Sequence, residues 1–578
     1  MMSKDAVPGP RELEKELNEY LSKKYGDRIR LSVPFLFPDK SVFQTEVREK
    51  KKDRPGDRKI NFDMKPRDLE QYLNEYVIKQ DRAKEILATK VCTHFNRIRH
   101  QDKASPVGTI KNNIIMVGPT GVGKTFLIKL IAQKIGVPFI KGDATKFSET
   151  GYVGGDVEDL VRDLVREADG DIDKAQYGIV YIDEIDKIAG SRNSFGIDVS
   201  RTGVQRALLK PMEETEVDLK VPHDIVSQME AVEHFRKTGK SERRVINTRN
   251  ILFIVSGAFT ELEDIIQKRI AAQGMGFGAL LRTKDHGAAL LQRAKAEDLI
   301  QYGFESEFIG RLPITAVFEP LSVMDLYAIL KNPNSSVINS KKKDFLAYGI
   351  DIRFEDDALM AIAEMAAQEQ TGARGLISAV EKVLIKFEKM LPSTDISKFV
   401  VTTEIVHDPE KGFEHFMRME DYGPVFEQHR LLVAREREEL KKRILDMRAS
   451  LEDDCAFLLD DVYLDNIVKI AIEQHSDYRN VLEQARLVVD AIRSFEKHFF
   501  DSHEIEIRFD DGAVNRTIYS VINDGTEASD FLNEHFRNYH HGLKLIKERG
   551  GRASFIIAEE AIEDAQGFLN KIITESYR

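Results

Sequence analysis

The sequence predicts an α/β protein whose main domain is a parallel sheet with helices on both faces, and three observations carry that expectation. Short β-rich runs at 114 to 117, 178 to 182 and 251 to 255 alternate with helical stretches from Met64 onward. The first run leads into Gly118-Pro119-Thr120-Gly121-Val122-Gly123-Lys124-Thr125, which fits the pattern G-x-x-x-x-G-K-[ST]. Phe126 to Ala132 continues as an apolar-rich helix, so the glycine loop lies between a strand and a helix, as a phosphate cradle requires.

The loop's chemistry follows from its residue types. Glycines let backbone N–H groups turn toward phosphate oxygens, and the helix N-terminus adds a favourable dipole. Lys124 reaches the outer phosphates and Thr125 supplies a hydroxyl for magnesium. Pro119, Thr120, Gly121, Val122, Gly123 and Phe126 complete the expected contact with a nucleotide. An ordinary glycine-rich turn is the alternative, and the strand and helix flanks disfavour it.

The second run, Gly178-Ile179-Val180-Tyr181-Ile182, ends in Asp183-Glu184. Phosphoryl transfer needs one acid to hold magnesium and another to orient and activate the attacking water. Asp183 suits the first task and Glu184 the second. The third run, Ile251 to Val255, ends at Ser256, a polar group placed to sense phosphate or position water. Arg311, in Phe308-Ile309-Gly310-Arg311-Leu312-Pro313, and Arg374, in Thr371-Gly372-Ala373-Arg374-Gly375-Leu376, are candidates for stabilising transition-state charge. Either alone reads as a surface or capping arginine. Tyr152-Val153 stands between glycines ahead of an amphipathic helix, a loop that offers apolar surface.

Size and composition set the surroundings. The chain has 578 residues, enough for several cores, and a formal net charge of −12 with 31% charged residues, which argues against a nucleic-acid partner. No apolar run approaches a membrane span, and the polar start resembles no leader, so a cytoplasmic protein with no membrane partner is expected. Cys92 and Cys455 cannot build a disulfide framework or a four-thiolate zinc module. Residues 1–60 carry a short helical pattern at 11–21 and end in a basic linker; the α/β domain is expected at 61–320 and a mostly helical segment at 321–405. A charged helix around 430–448 lies in the 406–450 segment, read equally as an exposed, partner-packing arm or as a surface helix. Residues 451–578 form an α+β extension. There Ile505-Glu506-Ile507-Arg508-Phe509-Asp510-Asp511 echoes Ile350-Asp351-Ile352-Arg353-Phe354-Glu355-Asp356, a strand entering a helix twice, and suggests a repeat.

Taken in order, these motifs resemble an AAA+ ATPase of the ClpX type, a ring-shaped protein unfoldase with a P-loop large domain and a mostly helical small domain. The resemblance covers about 65 to 405. It implies that Tyr76, Val77 and Ile78 border the adenine of ATP, that Gly118 to Thr125 is the Walker A loop, and that Asp183 and Glu184 end the Walker B strand. It implies that Ser256 closes the sensor strand, Arg311 extends into a neighbour's nucleotide site, and Arg374 is the sensor arginine of the small domain. It further implies a homohexamer using ATP and Mg2+, with Tyr152 and Val153 gripping a polypeptide in a central pore.

Three departures accompany the resemblance. Cys92 and Cys455 cannot supply the family's zinc-binding N-terminal module, and residues 1–60 are expected to stand in its place, which leaves adaptor proteins and substrate choice open. The segment from Leu219 to Asn250 is longer than expected. Met275-Gly276-Phe277 stands where the family has an apolar-Gly-Phe tripeptide for docking onto a ClpP-type peptidase. A repeat in 451–578 would align Gly542-Leu543 with Gly375-Leu376 and put His541 where Arg374 stands, giving a degenerate second small domain without its phosphate contact. The competing readings are a remodeller of complexes that works without a peptidase and an interaction scaffold that binds ATP with little turnover.

Overall fold

The computed structural model describes residues 62–100, 111–147, 155–190, 199–219, 244–273, 288–446, 458–550 and 553–576, all within the compact unit Ile60–Arg578. Five strands form a parallel sheet: β1 (Ile114–Val117), β2 (Phe139–Asp143), β3 (Ile179–Asp183), β6 (Leu252–Gly257) and β7 (Ile314–Val317), in the order β2-β3-β6-β1-β7. A short antiparallel pair, β4 (Glu216–Asp218) and β5 (Val245–Asn247), lies outside it.

Side-chain alternation explains why the three central strands are apolar up to their C-terminal ends. Ile115, Val117, Val180, Ile182, Phe253 and Val255 point into one core, where the helix Val157–Glu167 packs. Ile114, Met116, Ile179, Tyr181, Leu252 and Ile254 point into the other, shared with the helices Pro66–Tyr76, Asp81–His100 and Lys124–Ile135. A strand buried on both faces has no polar side to show. Cys92 lies buried in the second core, and burial pushes its thiol up to about 12. Cys455 lies outside the described residues.

A third core begins at Leu321 and runs through Phe413 and Phe416 to Val425. Its elements follow as helix Val323–Lys331, helix Ser336–Leu346, β8 (Asp351–Phe354), helices Asp356–Gln368 and Arg374–Met390, β9 (Lys398–Val401), then helices Thr403–His407 and Pro409–Met417, with β8 and β9 parallel. A fourth core occupies the C-terminal region. There the order is helix Asp461–Glu473, helix Tyr478–His503, β10 (Glu506–Phe509), helices Asp511–Asp524, Ala528–His535 and Tyr539–Gly550, β11 (Ser554–Ile557), then helices Glu559–Glu563 and Ala565–Ser576, with β10 and β11 again parallel.

The charged helix expected around 430–448 spans Gly423–Asp446 and packs within the chain. Val425 joins the core of the 321–425 region, whereas Leu440 and Ile444 are buried in the C-terminal core, so one helix stitches two hydrophobic cores together. Leu431 and Leu445 remain exposed on its outer side. Among the described residues no helix is long and apolar enough to cross a membrane.

Candidate active site

The glycine loop folds as a nest because its glycines, Gly118 at φ 155° among them, take conformations that side chains resist. Gly121 has φ 75° and Gly123 φ 92°. A Cβ on Gly121 would sit 2.0 Å from the Thr371 carbonyl oxygen, so the loop is built for close approach as well as for turning. Helix Lys124–Ile135 starts directly after Gly123 and brings its unpaired N–H groups to the loop. The loop also meets the 321–425 region, where the Ala373 N–H donates to the Gly121 carbonyl at 2.8 Å.

A cleft opens between these parts. Tyr76, Val77, Ile78, Leu321, Ile329 and Ile377 line it together with Thr120 through Phe126, Asp183, Glu184 and Arg374. The lining combines apolar side chains with charged ones and the glycine loop, which suits a planar base joined to phosphates. Lys124 is 9% exposed and donates to the Gly118 and Pro119 carbonyls at 2.6 and 2.8 Å. Burial pulls its ammonium down to about 8, against the attraction of Asp183 and Asp186. Arg374 stands at the first position of helix Arg374–Met390.

Asp183 is the centre of a hydroxyl and cation network. Lys141 Nζ lies 2.9 Å away, the Ser256 hydroxyl donates at 2.7 Å, and the Thr125 hydroxyl lies 3.5 Å off. Burial alone would raise this carboxyl, but the Lys141 and Ser256 contacts outweigh it and hold the group below its ordinary value. The Tyr181 hydroxyl sits 3.0 Å from the Thr125 oxygen and 2.6 Å from the Ser256 oxygen, tying the loop to β6. Burial pushes the Tyr181 phenol up to about 12, so it stays a neutral donor. Glu184 is exposed, its backbone is left-handed at φ 58°, and its N–H donates to Asp183 at 3.1 Å. A glutamate in that region carries about 1–3 kcal/mol of strain, a cost that clusters at working sites.

The structure separates some expected residues from the cleft. Ser256 is fully buried behind Asp183. Arg311 is half-exposed and paired with Glu213, away from the lining. Tyr152, Val153, Met275, Gly276 and Phe277 lie outside the described residues. Sequence reasoning passed over Lys141, Tyr181 and Asp186, the last of which also lines the cleft. Tyr181 carried a signal, since it precedes Asp183 by two positions and shares its face of the strand. Lys141 lay on a strand that was not recognised.

Apolar wall, glycine cradle, basic side chains and a Thr125–Asp183 pair together define an ATPase of the P-loop, AAA+ class, and these donors fit ATP. Residues 110–315 match the family described as AAA domain (Cdc48 subfamily), and residues 321–387 match the C-terminal, D2-small domain of ClpB protein. The ATP-dependent Clp protease ATP-binding subunit ClpX of Treponema denticola is 40% identical over 324 residues, which cover 55% of this chain and 75% of that protein. The chain belongs to the ClpX-type AAA+ ATPases, an ATP-hydrolysing unfoldase family.

Proposed function

We propose that this chain is an ATP-driven protein unfoldase working as a homohexameric ring that pulls polypeptides through a central pore and delivers them to a ClpP-type peptidase. The observation that carries the reading is the shared construction of the cleft. The P-loop and Arg374 belong to different cores, joined through the Ala373–Gly121 hydrogen bond, so a change at the phosphates acts on the angle between two domains. That is how hydrolysis becomes movement.

Lys124 and Arg374 bind the phosphate oxygens and Glu184 receives the proton of the attacking water. Thr125 and Asp183 would hold Mg2+, whose charge offsets that of the phosphates. Ser256 keeps Asp183 ionised and oriented. Arg311, half-exposed beside Glu213, is read as the residue given to the neighbouring subunit. Tyr152 and Val153 are assigned the grip on substrate, since an aromatic-aliphatic pair holds varied side chains by apolar contact. Met275, Gly276 and Phe277 are assigned the peptidase contact, a reading in keeping with the protease named in the relative's description. Residues 451–578 are read as a second small domain used for protein contact, supported by a parallel strand pair with two helices before it and two after it in both regions, although the C-terminal region has one more helix between its strands. There His541 replaces the phosphate-binding arginine.

The test uses a substrate recovered from a Glu184→Gln ring in cells. Tyr152→Ala should abolish its unfolding while ATP hydrolysis persists; unfolding at the wild-type rate would remove the threading mechanism.

A further inference from the structure

Glu75 precedes the cleft-lining run Tyr76-Val77-Ile78 and is the penultimate residue of helix Pro66–Tyr76. Its position is electrostatically poor, because a carboxylate at a helix C-terminus faces the negative end of the dipole. It is also 1% exposed. A buried carboxylate in such a place requires cations and donors, and the chain supplies them from more than 360 residues away.

Arg479 grips the Glu75 carboxylate with both Nε, at 2.8 Å, and Nη2. Tyr478 donates its hydroxyl to the same carboxylate at 2.8 Å. The Glu75 carbonyl accepts from Arg443 at 2.9 Å and from Asn332 at 2.8 Å, and Arg443 also holds the Asn332 side-chain oxygen at 3.2 Å. Tyr76 donates its hydroxyl to Asp477. Both Tyr76 and Asn332 line the cleft. The wall expected to receive the base is therefore fastened from behind by Arg443 and by Asp477, Tyr478 and Arg479, all beyond the two family matches, which end at 387.

A bidentate buried ion pair contributes defined geometry more dependably than net stability. From this we infer that Arg443, Asp477, Tyr478 and Arg479 are positioning residues for the nucleotide: the C-terminal domain completes the base-binding wall, and its docking is thermodynamically linked to ATP binding. The inference rests on the cleft being the ATP site. Linkage makes the effect reciprocal, so ATP also tightens the docking of the C-terminal domain.

The experiment uses the full-length protein and compares wild type, Arg479→Ala, the charge exchange Glu75→Arg with Arg479→Glu, and Lys124→Ala. Titration with a fluorescent ATP analogue gives Kd, steady-state hydrolysis gives KM and kcat, and hydrogen exchange follows helix Tyr478–His503 with and without ATP. Arg479→Ala should raise Kd and KM by about tenfold with a much smaller change in kcat, the charge exchange should recover part of the loss, and ATP should slow exchange in the helix only when the Glu75–Arg479 pair is present. Should Arg479→Ala fail to fold, Tyr478→Phe removes the hydroxyl that Glu75 accepts from and should shift KM in the same direction. Unchanged KM in folded variants, together with loss of ATP binding in Lys124→Ala, overturns the linkage alone. Wild-type ATP binding by Lys124→Ala overturns the cleft reading and the linkage with it.

Discussion

Tyr181 shows how much a single hydroxyl can organise. It is fully buried, and its oxygen lies within hydrogen-bond reach of both Thr125 and Ser256, which in turn faces Asp183. Tyr181→Phe keeps the ring in its core beside Phe139 and removes only the bridge. The net worth of one such hydrogen bond is about 1 kcal/mol, so kcat for ATP hydrolysis should fall about fivefold while the melting temperature moves little. A steady-state ATPase assay beside a thermal melt checks this; unchanged kcat would show that Thr125 and Ser256 hold their places without the phenol. Asp183 and Glu184 were legible as adjacent acids at a strand end, because apolar residues must give way to polar ones where a buried strand meets solvent. Lys141 was not legible, since its partner Asp183 is distant in sequence and comes close only through strand pairing.

The elements differ in how plainly the sequence declares them. Strands β1, β3 and β6 stand between other strands and between two helical layers, so their apolar runs were unmistakable. At the sheet edges β2 reads Phe-Ile-Lys-Gly-Asp and β7 reads Ile-Thr-Ala-Val, and neither was recognised, because an edge strand buried on part of its surface tolerates polar and small residues. The P-loop, fixed by its own glycines, was read completely, yet its contact with the Thr371–Ala373 turn needed the structure. That contact yields a prediction at the scale of whole elements. Gly121→Ala combines a left-handed backbone with a Cβ 2.0 Å from the Thr371 carbonyl, a clash with backbone that no rotamer relieves. The variant should push the turn from the loop and weaken ATP binding by more than about tenfold, which is only about 1.4 kcal/mol, well within the cost of such a clash. Calorimetric titration with ATP measures the loss, and an unaltered Kd would mean that the two domains do not need to touch for binding.

At the scale of the molecule, the join between the 321–425 region and the C-terminal domain depends on a polar cluster no motif could announce, because its members are spread from residue 342 to 475. Asp351 and Arg353 lie on β8, Lys342 on helix Ser336–Leu346, His429 and Glu436 on helix Gly423–Asp446, and His475 just after helix Asp461–Glu473. His429 Nε2 is 3.1 Å and His475 Nε2 3.5 Å from the Asp351 carboxylate; Glu436 meets Lys342 at 3.0 Å and Arg353 at 3.1 Å. Arg353 approaches His475 Nδ1 at 3.3 Å, so that nitrogen is an acceptor, and a second proton there would face a guanidinium. Burial lowers the His475 proton affinity, and the charges of Arg353 and Lys342 reinforce this against the pull of Asp351. Burial alone would raise Asp351, but its histidine contacts and Arg353 hold it far below its ordinary value of 3.8, so it stays ionised throughout the range in which histidine titrates. The sign follows. With a folded value below the ordinary 6.5, His475 is neutral in both states above that pH and costs nothing; below 6.5 the opened state takes up a proton that the docked state refuses. Docking should therefore weaken as pH falls below 6.5, by up to about 1.4 kcal/mol per unit until the depressed folded value is reached. Hydrogen exchange in helix Tyr478–His503, corrected for the intrinsic pH dependence of exchange, should reveal a lower opening free energy at pH 5.5 than at pH 7.5. His475→Gln should flatten that difference, whereas an equal acid response in the variant would place the sensing group elsewhere in the cluster.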